Sequence, residues 1–209
     1  MKLYYSPTSP YVRKVMACAI ARRLDGEIEA VACNPHVSPP DLVRDNPLSK
    51  VPCLIALDGT PLFDSPVICE YLDGLGEVPS LFPPAGSPAR IAALRLQAMA
   101  DGILDAAVGR RMQAPHPQDE ARRAFDARQK AAVDRTLAML ELAGPPAPTL
   151  TDIGAIALGC ALGYLDFRFA QEDWRRGRPR LEAWFSMVEP MEPLARTRPA
   201  EMPPAPAAG

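Results

Sequence analysis

Ser9 stands directly before Pro10 at the head of a segment with helical apolar spacing, and serine at the cap followed by proline at the first helical position is a favoured helix start. A serine that accepts a backbone N–H bond still has its own proton to give. An anion held over the positive end of that helix, such as a bound thiolate, would receive it. A second candidate is Asn46-Pro47-Leu48-Ser49-Lys50-Val51-Pro52. Proline just inside a strand cannot donate to the ladder and marks an edge or a bend. With a cis Val51–Pro52 bond, the N–H and C=O of Val51 would face outward and pair with an extended peptide; trans is the commoner form. The third is Asp64-Ser65-Pro66. Backbone N–H groups at a helix start there suit a carboxylate, and Asp64 offers a charge for an ammonium group, so the pair fits the zwitterionic end of an α-amino acid.

Each candidate also has a plainer reading: a helix cap worth about 1 kcal/mol, a strand-start proline, and a cap whose acid complements the helix dipole. Other residues carry less. Arg13 and Lys14 fall off the apolar face of the first helix and read as solvated charges. Lys50 is placed to meet a ligand carboxylate, and His36 to touch a ligand from its loop. Met99, Ile103, Leu104, Ala107 and Met112 fit either helix packing or an apolar pocket, and Tyr5, Cys53 and Cys69 read as core.

The elements that would position these groups follow from proline, glycine and hydrophobic period. Lys2–Tyr5 reads as a strand, and Val12, Val15, Met16, Ala19 and Ile20 give the following segment a helical stripe. A strand over Ile28–Cys33, a short helix near Asp41–Arg44, and a strand over Val51–Leu57 come next. Asp58-Gly59 joins that strand to Pro61–Phe63 as a hairpin, and Pro66–Leu75 reads as a helix. The order is β-α-β-α-β-β-α. Beyond the proline-rich loop 79–88 the pattern turns helical, with long alanine- and arginine-rich helices over Ala89–Met112 and Glu120–Leu142. Thr149 is the expected cap of the next helix, with Asp152 in its positive first turn, and Arg180–Val188 reads as a further helix. The proline- and alanine-rich stretch 199–209 reads as a disordered tail.

Composition excludes several classes. With 23 Lys and Arg against 25 Asp and Glu, the formal charge is −2, which gives no footprint for nucleic acid or an acidic membrane. The longest apolar run, Ile153–Leu165, is short for a bilayer span, and the first residues lack the apolar core of a secretory signal. Five widely spaced cysteines without a Cys-x-x-Cys pattern indicate neither a disulfide framework nor a zinc site, and two histidines leave little for a metal centre or a serine–histidine triad. A soluble intracellular protein is the expectation.

Tyr4–Lys14, Asn46–Pro52 and Phe63–Ile68, taken as an ordered set, resemble the cytosolic glutathione transferases of bacterial type. Thr149–Asp152 is similar to the family's helix-capping element and Leu181–Phe185 to its late tryptophan-containing helix, so the likeness runs to about Thr197. The resemblance implies an α/β thioredoxin-like glutathione-binding domain over 1–78, an all-α domain over 88–198, and a cytoplasmic homodimer. Ser9 matches the position of the family's serine or cysteine beside the thiol. Val51, before a cis Pro52, matches the residue whose main chain pairs with the cysteinyl part of glutathione. Asp64 and Ser65 match the acid–serine pair that holds the γ-glutamyl end, where glutamate is the more frequent acid. Ser6 and Thr8 lie close enough to be alternatives to Ser9. Serine rather than cysteine at position 9 favours conjugation of glutathione to a small apolar electrophile in a pocket between the domains, with glutathione as co-substrate and no other cofactor. A glutathione-dependent thiol-disulfide reductase or peroxidase, and a non-catalytic glutathione-binding or interaction module, are the alternatives. The energy required is modest. Lowering a thiol pKa of about 8.5 by about two units takes roughly 2.7 kcal/mol. A hydrogen bond to the anion supplies about 1.5–3 kcal/mol and a helix dipole about 0.3–1 kcal/mol.

Overall fold

The computed structural model describes residues 1–200, and the part of the expected tail from residue 201 on lies outside them. The chain divides into two compact units, Met1–Val78 together with residues 197–200, and Pro79–Arg196.

In the first unit, strands β1 (Lys2–Tyr5), β2 (Glu29–Ala32), β3 (Cys53–Ile55) and β4 (Pro61–Leu62) form a sheet in the order β2-β1-β3-β4. β1 runs parallel to β2, with Tyr4 opposite Val31, and antiparallel to β3, with Tyr4 opposite Cys53. β3 and β4 are antiparallel, with Leu54 opposite Leu62. β3 is shorter than the expected Val51–Leu57, because Pro52 has no N–H for the ladder and Ala56 already belongs to the turn. That turn is longer than a two-residue Asp-Gly link. The Ala56 N–H donates to the Thr60 carbonyl at 2.8 Å, and Asp58 Oδ1 accepts from the Thr60 N–H at 2.9 Å. Gly59 supplies the left-handed φ of +86° that the loop needs.

Helices α1 (Pro10–Ala21) and α3 (Ser65–Leu75) pack together, and the short α2 (Pro40–Asp45) lies against β3. Leu3, Val15, Leu42, Leu54, Ile68 and Leu72 have no exposed surface. Arg13 and Lys14 are a correction to the sequence expectation: 6% and 0% exposed, they are buried, not solvated. Periodicity marks the most apolar face of a helix, and α1 is covered on more than that face. Arg22 ties the ends of the two long helices together. Its Nε lies 3.0 Å from Asp73 Oδ1, its Nη2 donates to the Asp73 carbonyl at 2.8 Å, and the guanidinium also reaches the carbonyls of Gly76 and Val78.

The second unit is helical: α4 (Pro88–Gln113), α5 (Glu120–Ala143), α6 (Ile153–Phe169), α7 (Pro179–Val188) and a short α8 (Glu192–Ala195) that the sequence pattern did not announce. α4 packs on both α5 and α6, and every residue of Ile153–Leu165 is buried. With the 3-10 turn that follows it, α6 extends over Ile153–Glu172 and is long and apolar enough to cross a membrane by length and composition. Burial accounts for that apolarity, since 78% of the apolar window lies inside the protein. Its close approach to α4 depends on Gly154, where a Cβ would sit 2.6 Å from the Ala93 carbonyl oxygen. The cap of α6 is Asp152, whose Oδ1 accepts from the Ala155 N–H at 2.9 Å. Thr149 instead pairs with Thr151 at 3.0 Å, so the helix starts three residues later than its threonine predicts. α7 borrows its cap from α5: the Glu141 carboxylate accepts from the N–H groups of Arg180 and Leu181. Arg110 holds the far end of α4, donating to Asp126 at 2.8 Å and to Glu172 at 3.0 Å while lying over the Phe169 ring.

Of the residues that fit either packing or a pocket, Ile103, Leu104 and Ala107 are core, while Met112 is exposed. On the same helix Gln97 is 4% exposed, and its buried Nε2 has no hydrogen-bond partner among the described residues. An unmet buried donor costs about 1–3 kcal/mol. Gln97→Met is therefore expected to raise the thermal midpoint by about 2–12 °C, at about 2–4 °C per kcal/mol for a chain of this size. An unchanged or lower midpoint in a melting curve would show that the amide is bonded in solution, for instance to a buried water.

Candidate functional site

The sheet register brings the three sequence candidates to one end of the first unit. Opposed residues on β1 and β3 step in opposite directions, so continuing past Tyr4–Cys53 sets Ser6 opposite Val51. β4 runs antiparallel to β3 and ends at Leu62, so the chain leads from there into Asp64 and the start of α3 at the end of β3 where Val51 lies. The loop after β1, the segment before β3 and the start of α3 therefore all emerge at the same end of the sheet.

Ser9 is the N-cap of α1: its Oγ accepts from the Val12 N–H at 3.3 Å, and its backbone is extended. The hydroxyl proton of Ser9 has no acceptor among the described residues. Ser6 and Thr8 share the same loop, their hydroxyls 3.3 Å apart. Val51 is buried and precedes a cis Pro52, and its N–H and C=O have no hydrogen-bond partner among the described residues. The loop in front of it is held firmly. Asn46, 1% exposed, donates from Nδ2 to the Lys50 carbonyl at 2.9 Å and accepts from the Leu48 N–H at 3.1 Å. Ser49, at a φ of +50°, donates to the Pro35 carbonyl at 3.0 Å. Asn46 opens the second sequence candidate, but its bracing role was not read there, although Asn before Pro is a turn signal whose side chain commonly bonds the backbone two residues on. The Lys50 ammonium is exposed beside Val51, and His36 is exposed on the 3-10 turn Pro35–Val37.

Ser65 opens α3 one residue earlier than expected and is 1% exposed, while Asp64 before it is exposed and joined to Phe63 by a cis peptide bond. Asp64 stands at the cap position but its carboxylate makes no capping bond. Side chains cap the starts of α1, α4, α5 and α6, whereas α3 presents the N–H groups of Ser65 and Val67 without an acceptor among the described residues. A helix start in that state, next to a free carboxylate, fits the two charges of an α-amino acid.

Cys18, Cys33 and Cys53 of this unit are turned toward inertness. Burial, with the nearby Asp45 charge and Cys33, pushes the Cys53 thiol up to about 11, and burial also raises Cys33. Contact with Cys69, then burial, carries the Cys18 thiol well above its ordinary value. A thiol at 11 is ionised in roughly one molecule in ten thousand at neutral pH. The chemistry of this end of the sheet is thus that of hydroxyls, main-chain groups and a helix dipole.

Residues 3–80 match the glutathione S-transferase N-terminal domain family, and residues 118–186 match the glutathione S-transferase C-terminal domain family. The chain belongs to the glutathione S-transferase family. Its fold is accordingly the family's thioredoxin-like domain followed by a helical domain. This transferase-family chain is 31% identical over 204 residues to the uncharacterised GST-like protein YibF of Escherichia coli K12, covering 95% of this chain and 98% of that one. A glutathione transferase family member from Pseudomonas fluorescens Pf-5 is similar in structure. Solved with bound glutathione, it shows 36% identity and a TM-score of 0.87 over 96% of this chain and 99% of that one. Solved with bound S-(propanoic acid)-glutathione, it gives 35% identity and a TM-score of 0.84 over 96% of this chain and all of that one.

Proposed function

We propose that this protein is a glutathione S-transferase that binds glutathione across the end of the sheet, holds its sulfur as thiolate through Ser9, and conjugates it to a small apolar electrophile. The observation that carries this reading is the Ser9 hydroxyl: it caps α1, keeps its proton uncommitted, and sits in the loop that leaves the sheet at the same end as Val51 and the start of α3. The cysteinyl main chain would pair with the N–H and C=O of Val51 beside Pro52, as an added strand does. The γ-glutamyl carboxylate would take the Ser65 hydroxyl and the N–H groups at the start of α3, its ammonium would meet Asp64, and Lys50 would meet the glycyl carboxylate. The glutathione bound by the Pseudomonas relative, and the thioether S-(propanoic acid)-glutathione of the class that conjugation yields, support the substrate and the reaction type. The raised thiols weigh against a disulfide mechanism on the protein's own cysteines. We further propose that it works as a cytoplasmic homodimer, with residues 1–78 as the glutathione-binding domain and 88–198 as the helical one.

Calorimetric titration with glutathione, followed by a panel of aryl halides, epoxides and unsaturated carbonyl compounds on the same sample, tests the reading. Heat of binding together with thioether formation is the expected result, and absence of either ends it. Asp64→Ala and Ser65→Ala should each weaken the dissociation constant about ten- to a hundredfold, the range for hydrogen bonds to charged groups. Their kcat at saturating glutathione should stay near wild type. An unaltered dissociation constant in both variants would remove the amino-acid clamp.

A further inference from the structure

Two hydroxyls beside Ser9 have no role in the assignment above, on which the following rests. The chain leaves β1 through Ser6-Pro7-Thr8-Ser9, a turn closed by the Ser9 N–H donating to the Ser6 carbonyl at 3.1 Å. Pro7 presets the second position of that turn, which puts Thr8 third, directly before the cap of α1. The Ser6 and Thr8 hydroxyls lie 3.3 Å apart, and among the described residues each is the other's one side-chain partner. Ser6 is 8% exposed and Thr8 is half-buried.

Two hydroxyls that share one hydrogen bond leave one proton over. Burial decides which. A Ser6 proton turned away from Thr8 would be enclosed without an acceptor, whereas a Thr8 proton turned away from Ser6 still reaches an open side. With Ser6 as donor and Thr8 as acceptor, the arrangement that burial favours, the Thr8 proton is the one left over and is directed out of the turn. Ser6 follows β1 at the end of the sheet where Val51 precedes β3, the end at which the cysteinyl residue would be seated. A hydroxyl that already accepts one hydrogen bond is polarised into a better donor.

We propose that Thr8 donates a second hydrogen bond to the glutathione sulfur, and that Ser6 is a positioning residue that fixes the direction of the Thr8 hydroxyl. The thiolate then rests on two O–H donors from adjacent residues, Thr8 and Ser9, beside the N-terminus of α1.

The pH dependence of thiolate absorbance in the binary complex with glutathione tests this without requiring turnover. Thr8→Val should raise the bound thiol pKa by about half a unit to one unit, as expected on losing one donor to an anion. Thr8→Ser should restore the wild-type value, and Ser6→Ala should raise it by a smaller amount. With an aryl halide, Thr8→Val should lower kcat/KM about three- to tenfold below the wild-type thiol pKa, less at neutral pH, and converge on wild type at alkaline pH. A Thr8→Val thiol at the wild-type pKa, or a Thr8→Ser thiol as high as that of Thr8→Val, overturns the proposal. If Ser9→Ala raises the pKa while Thr8→Val does not, the Thr8 assignment alone falls. If neither variant moves it, or no complex forms, the parent assignment falls as well.

Discussion

Ser9→Ala is expected to lower kcat/KM for conjugation about ten- to thirtyfold at neutral pH, and more below it, while leaving the glutathione dissociation constant within a few-fold of wild type. A hydrogen bond to a charged group contributes about 1.5–3 kcal/mol, and each 1.4 kcal/mol is about tenfold in rate. The effect has a definite pH signature. The hydroxyl stabilises only the ionised sulfur, so its removal returns the thiol pKa toward about 8.5. Between the wild-type and variant pKa values the wild type is flat while the variant gains about tenfold per pH unit, and above both values the gap closes. A second consequence must be separated from the first. Ser9 also caps α1 through Val12, and losing that cap costs about 1 kcal/mol of stability. Ser9→Asp separates the two roles: the carboxylate still accepts from the Val12 N–H, but it has no proton to give and sets a negative charge beside the sulfur. Stability near wild type with activity at or below that of the alanine variant is the expected pair of results. Wild-type rates for Ser9→Ala across the pH range, or an active Ser9→Asp enzyme, would remove Ser9 from the chemistry.

Ser9 was visible in the sequence because a helix cap is local: the residue, the proline after it and the apolar stripe lie within a dozen positions. The same holds for the glycine turn before Pro61 and for Asp64-Ser65-Pro66. Local signals failed where two of them competed. Thr149 and Asp152 are both good caps, and α6 starts at the second, because the first is engaged with Thr151. Proline set a limit that strand propensity missed at β3, which begins after Pro52, whereas β4 opens at Pro61 as expected. What no local pattern contains is the other side of a contact. Arg13 and Lys14 look like surface charges on a helical wheel, yet they are buried. That the segments carrying Ser9, Val51 and Ser65 leave the sheet at one end was available only as a resemblance until the direction of three strands was known.

Arg22 is the strongest case of this kind, since its partners lie 51 to 56 residues away. Arg22→Ala is expected to cost about 3–5 kcal/mol, the range for removing one partner of a buried ion pair, and to lower the thermal midpoint by about 10 °C. The guanidinium is 3% exposed and Asp73 is 8% exposed, so water replaces little of what is lost. The pair itself is only part of the effect. Arg22 also donates to the carbonyls of Asp73, Gly76 and Val78, where the last turn of α3 has run out of its own N–H donors. The double change Arg22→Met, Asp73→Leu distinguishes the two contributions. Apolar replacement of a buried pair is often neutral, so if charge pairing were the whole function the double variant would match wild type. Carbonyls left without donors keep it about 1–3 kcal/mol less stable instead. Gly76→Ala attacks the same clamp from outside, because its Cβ would lie 2.6 Å from Arg22 Nε and the guanidinium is held on several sides. Hydrogen exchange should then show the end of α3 opening first in all three proteins, while the Ser9 turn stays protected. A wild-type melting curve for Arg22→Ala would mean that the carbonyls find other donors and that the end of α3 does not depend on this side chain.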